Sequence, residues 1–146
     1  MRTVIQRVSC ASVVSGGYKT KISLGIVALV GVGKDDKKWD VDYIADKILN
    51  LRIFSDENGK LNYSLKDKNW ELLVVPQFTL YGNCDKGRRP SFEQSAGFSK
   101  GKEKFKLLKN RLRSGYLEDK IKWGLFGKDM SVKMVNKGPV TLIIDS

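Results

Sequence analysis

Histidine is absent from the 146 residues. That absence removes Ser-His and Cys-His nucleophile pairs, imidazole metal sites and the usual general base near neutral pH. Cysteine occurs only twice, as Cys10 and Cys84, far apart and outside any CxxC pairing. The two form neither a disulfide framework nor a zinc site, and such usage fits a reducing cytoplasm. No run approaches the ~20 apolar residues of a membrane span. The opening MRTVIQRV alternates like a strand where a signal peptide carries a continuous apolar core. A soluble, unexported, cytoplasmic protein with no membrane partner is therefore expected. Acidic residues are also few, 16 against 27 Lys and Arg.

The resulting net charge of +11 draws polyanions to the surface and raises their association rate. The charge is concentrated: between Lys100 and Arg113 stand seven basic residues and one acidic residue, Glu103. Nucleic acid is the natural partner. With 41% hydrophobic residues, the chain is long enough for one domain with a real core and too short for two ordinary ones. Residues 1–146 are read as a single domain.

Residues 2–8 alternate as a strand, 11–15 follow as a short strand, and Gly16-Gly17 turns the chain into a strand over 18–23. Residues 25–31 are apolar on both faces, which marks a central buried strand. Val41, Ile44, Ala45, Ile48 and Leu49 recur at helical spacing, so a helix is predicted over 38–51, capped by Asp35 or Asp36. After a turn at 56–59, residues 70–75 read as a second buried strand running into Gln77-Phe78-Thr79-Leu80. A basic loop, 82–90, carries Arg88 and Arg89. A second helix begins near Ser99, with Phe105, Leu108, Leu112 and Tyr116 on its apolar side and its cations, Lys104 and Lys106 among them, on the remaining arc. Three strands, 120–126, 130–135 and 140–145, end the chain. The expected fold is α/β: a single domain of mixed, largely antiparallel, barrel-like sheet with two main flanking helices.

Two segments carry the chemistry. Gln77-Phe78-Thr79 at the end of a buried strand is a rigid frame for main-chain N–H groups aimed at a developing oxyanion, each worth roughly 10²–10³ in rate. Thr79 is the only hydroxyl in that segment, and with no histidine to activate it, covalent catalysis by Thr79 is not expected. Taken alone, the segment also reads as a strand with Phe78 and Leu80 pointing inward. Gly138-Pro139 interrupts strand residues, because proline donates no ladder hydrogen bond and restricts its predecessor. Its plain reading is a turn. Arg7 reads as a strand residue directed to solvent, and Phe126 as core.

Together, Ile5-Gln6-Arg7-Val8, Val74-Val75-Pro76-Gln77-Phe78-Thr79-Leu80-Tyr81, Gly124-Leu125-Phe126-Gly127 and Asn136-Lys137-Gly138-Pro139-Val140-Thr141 make the chain resemble the D-aminoacyl-tRNA deacylases. These are homodimeric editing hydrolases with signatures SQFTL and NxGPVT. The resemblance spans nearly the whole length, and Pro76, where the family has Ser, is the one departure among the signature positions. It implies hydrolysis of D-aminoacyl-tRNA, and of glycyl-tRNA, without cofactor or metal and with help from the ribose hydroxyl of the tRNA. It implies a catalytic frame at Gln77, Phe78 and Thr79, and a cis Gly138-Pro139 that enters the partner subunit's site and excludes L-residues. By the same resemblance Arg7 braces that motif and Phe126 lines the pocket of the terminal adenosine. Arg88, Arg89, Lys104 and Lys106 are the expected tRNA contacts. The competing reading is a noncatalytic RNA-binding module built on the basic helix and loop.

Overall fold

A computed structural model describes residues 1–146. Strand β1 (Arg2–Ser15) is the organising element. It turns at Gly16-Gly17 into β2 (Tyr18–Ile22), and its first half pairs antiparallel with β3 (Gly25–Gly31). The two strands read separately over 2–8 and 11–15 are one, because β1 passes from β3 to β2 without breaking.

Parallel to β3 lies β6 (Glu71–Pro76), and parallel to β6 lies the short β7 (Ile121–Trp123). Side chains of β3 and β6 alternate between two apolar regions, which is why both strands read as unbroken hydrophobic runs. Ile26, Ala28, Leu72 and Val74 face the helices, while Val27, Leu73 and Val75 point into the curl of the sheet with Val8, Ala11 and Val13. The sheet closes far enough for the Tyr18 hydroxyl on β2 to donate to the Trp123 carbonyl on β7 at 2.7 Å. Gly25 is required by the parallel pairing, since a Cβ there would stand 1.8 Å from the Glu71 carbonyl oxygen.

Helices α1 (Lys38–Asn50) and α3 (Phe98–Gly115) cover one face of the sheet and bury their predicted stripes. The four-residue α2 (Leu65–Lys68) and the small hairpin of β4 (Phe54–Ser55) and β5 (Leu61–Tyr63) lie between α1 and β6. The cap of α1 is neither Asp35 nor Asp36. The Asp40 carboxylate accepts the Lys37 N–H at 2.7 Å, whereas Asp36 turns back to accept the Gly33 N–H at 2.6 Å. No helix is long and apolar enough to cross a membrane.

The chain ends on β8 (Ser131–Asp145), antiparallel to β1 along its whole length. Two separate strands were predicted here with a turn between them. The structure has a single strand with an outward loop, because pairing jumps from Gln6↔Thr141 to Val8↔Asn136 and leaves residues 137–140 out of register. The strand predicted over 120–126 is shorter, ending at Trp123.

Candidate active site

The strand-to-turn transition after Pro76 determines what the site presents. Pro76 lies opposite Val30 at the end of β6, and Gln77 donates its N–H to the Val30 carbonyl at 2.8 Å. The backbone then leaves extended geometry, and Phe78–Tyr81 form one turn of 3₁₀ helix. The reading with Phe78 and Leu80 pointing inward is therefore wrong, and Phe78 is 58% exposed. Being first in the turn, the N–H groups of Phe78 and Thr79 lack intrahelical acceptors, and neither finds another partner in the chain. Two main-chain donors are left free side by side.

Tyr81, at the end of the same turn, fixes the turn's position. Its ring packs under Gly31 and Gly33, and a Cβ on Gly33 would approach its hydroxyl to 2.7 Å. Burial, with the nearby Asp36 carboxylate second, pushes the Tyr81 phenol up to about 12, so it stays protonated and uncharged at neutral pH. Its role as an anchor was not read from sequence, because it depends on which glycines the fold places against it.

The turn forms one wall of a cavity of about 600 Å³. Pro76, Gln77, Phe78 and Thr79 line it together with Phe98, Phe126, Lys128, Asp129 and Met130. Phe126 is partly buried against the core and at the same time faces the cavity. It packs on Phe105 at 5.7 Å between ring centroids and edge-on to Phe98 at 5.4 Å, and it also lines the cavity. Phe98, Lys128 and Asp129 were missed in sequence, having no motif of their own.

Thr79 Oγ1 accepts a hydrogen bond from the Gln77 side-chain amide. An amide N–H cannot take a proton, so this contact orients the hydroxyl without activating it.

Arg7 does not point to solvent; it is 9% exposed. It stands at the register jump, opposite the loop of β8. Its guanidinium donates to the carbonyls of Lys137 at 3.0 Å, Gly138 at 3.1 Å and Ile53 at 2.7 Å. Gly138-Pro139 is a cis peptide. Neither Arg7, Gly138 nor Pro139 lines the cavity that contains Gln77, Phe78, Thr79 and Phe126. Within one chain the sequence-predicted site is thus divided between two places.

The four cations chosen as RNA contacts do not form one cluster. Arg88 and Arg89 stand exposed in a loop whose base is pinned by Asn83 and Ser91, which exchange backbone hydrogen bonds of 2.8 and 2.9 Å. Lys104 and Lys106, two residues apart on α3, lie about 200° apart around the axis.

Fold and cavity together define a class: barrel-like α/β proteins in which a strand end offers main-chain donors to a pocket walled by aromatic rings. Residues 4–145 match the D-Tyr-tRNA(Tyr) deacylase family. The chain is 54% identical to the D-aminoacyl-tRNA deacylase of Thermosipho africanus, with 100% of this chain and 97% of that protein covered. To the enzyme of the same name from Clostridium beijerinckii it is 48% identical, with the same coverage. Among solved structures it is similar to the c-Myc DNA unwinding element binding protein, with TM-score 0.94, 38% identity and coverage of 100% and 99%. A probable eukaryotic D-amino acid tRNA deacylase shares the fold, with TM-score 0.85, 17% identity and coverage of 99% and 98%. The chain belongs to the D-Tyr-tRNA(Tyr) deacylase family.

Proposed function

We propose that residues 1–146 form one cytoplasmic editing domain that hydrolyses the ester of D-aminoacyl-tRNA, and of mischarged glycyl-tRNA, to free tRNA and amino acid. The observation that carries this reading is the pair of unpartnered N–H groups on Phe78 and Thr79 at the wall of an aromatic-lined cavity. An aminoacyl ester is already activated, so catalysis needs mainly position and charge stabilisation. Water adds to the ester carbonyl, the two N–H groups hold the oxyanion, and collapse expels the ribose oxygen. The neighbouring ribose hydroxyl of the tRNA assists the proton transfers. Stacking of the terminal adenine on Phe126 is worth ~1–3 kcal/mol.

The active unit is a homodimer. β8 has no strand on its outer edge and exposes Val135 and Ile143 by 57% and 69%, and so long an apolar edge calls for a partner. In the dimer, Gly138-Pro139, held outward by Arg7, reaches the cavity of the other subunit. Its main-chain atoms leave no room for an L side chain, whereas a D-residue or glycine enters.

Deacylation rates for D-Tyr-tRNA, Gly-tRNA and L-Tyr-tRNA test this reading. The first two are hydrolysed and the third is spared. Tight binding without turnover of any of the three would mark a noncatalytic RNA-binding module instead.

Pro76 has a separate expected outcome. Its ring lies at the cavity wall and abuts Gly124, where a Cβ would come within 3.1 Å of Pro76 Cδ. If exclusion by Gly138-Pro139 sets chirality, Pro76→Ser changes the rate modestly and preserves the order of the three substrates. Hydrolysis of L-Ala-tRNA by the wild type that disappears in Pro76→Ser would show that residue 76 controls the pocket.

A further inference from the structure

The cations of α3 divide into two rows. Helical geometry places Lys102, Lys106, Lys109 and Arg113 on one flank of the buried stripe, spaced i, i+4, i+7 and i+11, over about 16 Å of axis. Lys100, Lys104 and Arg111 fall on the other flank, where Arg111 is engaged by Asp42 at 3.1 Å.

The first row runs beside a line of aromatic rings leading away from the cavity. Phe98 and Phe126 line the cavity, Phe105 packs on Phe126, and Trp123 continues the line at 6.4 Å from Phe105. Trp123 holds the far end of the row, with Lys109 Nζ 4.8 Å and the Arg113 guanidinium 5.8 Å from its ring centroid. Arg113 has an acidic partner, Glu118 at 3.1 Å. Lys109 has none. Burial, followed by the charge of Arg113, lowers its pKa below the ordinary lysine value. Two cations crowded on one ring with a single carboxylate, that of Glu118, leave positive charge uncompensated at this end of the row.

Accepting that the cavity takes the 3′ end of tRNA, we infer that the Lys102–Lys106–Lys109–Arg113 flank of α3 is the track for the sugar-phosphate backbone of the double-stranded acceptor stem. Three features support a duplex as the occupant. The row is straight, it is set on a helix, and it begins beside Gly101, which lines the cavity. Ammonium groups at fixed intervals read backbone shape and charge and carry no base information. The opposite flank, including Lys104, is outside the track.

The test compares a track variant, Lys102→Gln/Lys106→Gln/Lys109→Gln, with a control variant, Lys100→Gln/Arg111→Gln, both in the full chain. Binding of an uncharged acceptor-stem hairpin ending in the 3′ single strand is followed by fluorescence anisotropy across a salt series. The log–log slope for the track variant should flatten by about 0.9 per lost phosphate contact, and its affinity near physiological salt should fall roughly tenfold to a hundredfold. The control variant should keep the wild-type slope. The 3′ single strand alone should show little difference among the three proteins.

Equal slopes for track and control variants would overturn the proposal, as would an equal loss on the single strand, which would place the row against the tail and not the stem. In deacylation, the ratio of kcat/KM for D-Tyr-tRNA to that for D-tyrosyl-adenosine should fall about tenfold in the track variant. An unchanged ratio would count against the track. Absence of hydrolysis of either substrate by the wild type, with the slope change still present, would leave the track standing and remove the deacylase reading.

Discussion

An equal mixture of Gly138→Ala and Phe78→Pro chains, each nearly inactive alone, should recover about a quarter of the wild-type deacylation rate after subunit exchange. In a twofold dimer half of the molecules are hybrids, and each hybrid has one site with both an intact frame and an intact partner motif. Both substitutions fit the chain that carries them. A Cβ on Gly138 meets nothing closer than Asn136 Nδ2 at 3.8 Å within its own subunit, so the variant should fold normally and any lost activity reports the partner's cavity. Proline at position 78 is first in the 3₁₀ turn, where an N–H is unpaired in any case, and Gln77 before it has φ −146° and ψ 82°, outside the helical region that proline disfavours in its predecessor. Loss of that one donor should cost about 10²–10³ in rate. Failure to recover activity, or a monomer with full activity, would rule out a shared site.

A D-aminoacyl-tRNA whose terminal ribose lacks the 2′-hydroxyl should be hydrolysed at least about a hundredfold more slowly, the scale of a lost general acid–base contribution. Thr79→Ala should retain activity to within about tenfold. The contrast arises because the only side chain hydrogen-bonded to Thr79 is the Gln77 amide, which cannot accept its proton, and because no imidazole exists in the chain to take that part. The substrate's own hydroxyl is adjacent to the reacting ester in every productive complex. A loss in Thr79→Ala as large as that from the deoxy substrate, with an acyl group trapped on residue 79, would establish a covalent route instead.

Much of the architecture was legible because the signals were periodic. The stripe from Val41 to Leu49 read as the buried side of a helix, and the apolar run of Gly25 to Gly31, short and bounded by glycines, as a strand covered on both faces, and both are found. The cap of α1 was misread because Asp36 is engaged elsewhere, by the Gly33 N–H three residues back and by the amino terminus of Met1 at 2.8 Å, and the second of these is a tertiary contact that sequence spacing does not reveal. The plain reading of Gly138-Pro139 as a turn between strands missed its path, whereas the cis peptide and the Arg7 contact expected from the family resemblance are present. A loop held by a distant arginine leaves no local trace, since Arg7 and Gly138 are 131 residues apart and meet only through the register of β1 and β8.

By itself the sequence determined the class of fold, the lack of imidazole chemistry, the concentration of positive charge on α3 and the two motifs that place the chain in its family. These depend on composition, period and short contiguous patterns, which need no knowledge of distant contacts. Only the tertiary structure decided that Phe78 and Thr79 present free N–H groups, since that follows from where β6 stops against β3 and where Tyr81 finds room. It also decided that Phe98 joins Phe126 at the cavity and which carbonyls Arg7 holds, those of Ile53, Lys137 and Gly138. Each of these follows from the packing of α3 and the pairing of β1, and such long-range geometry is fixed only when the whole chain closes on one core.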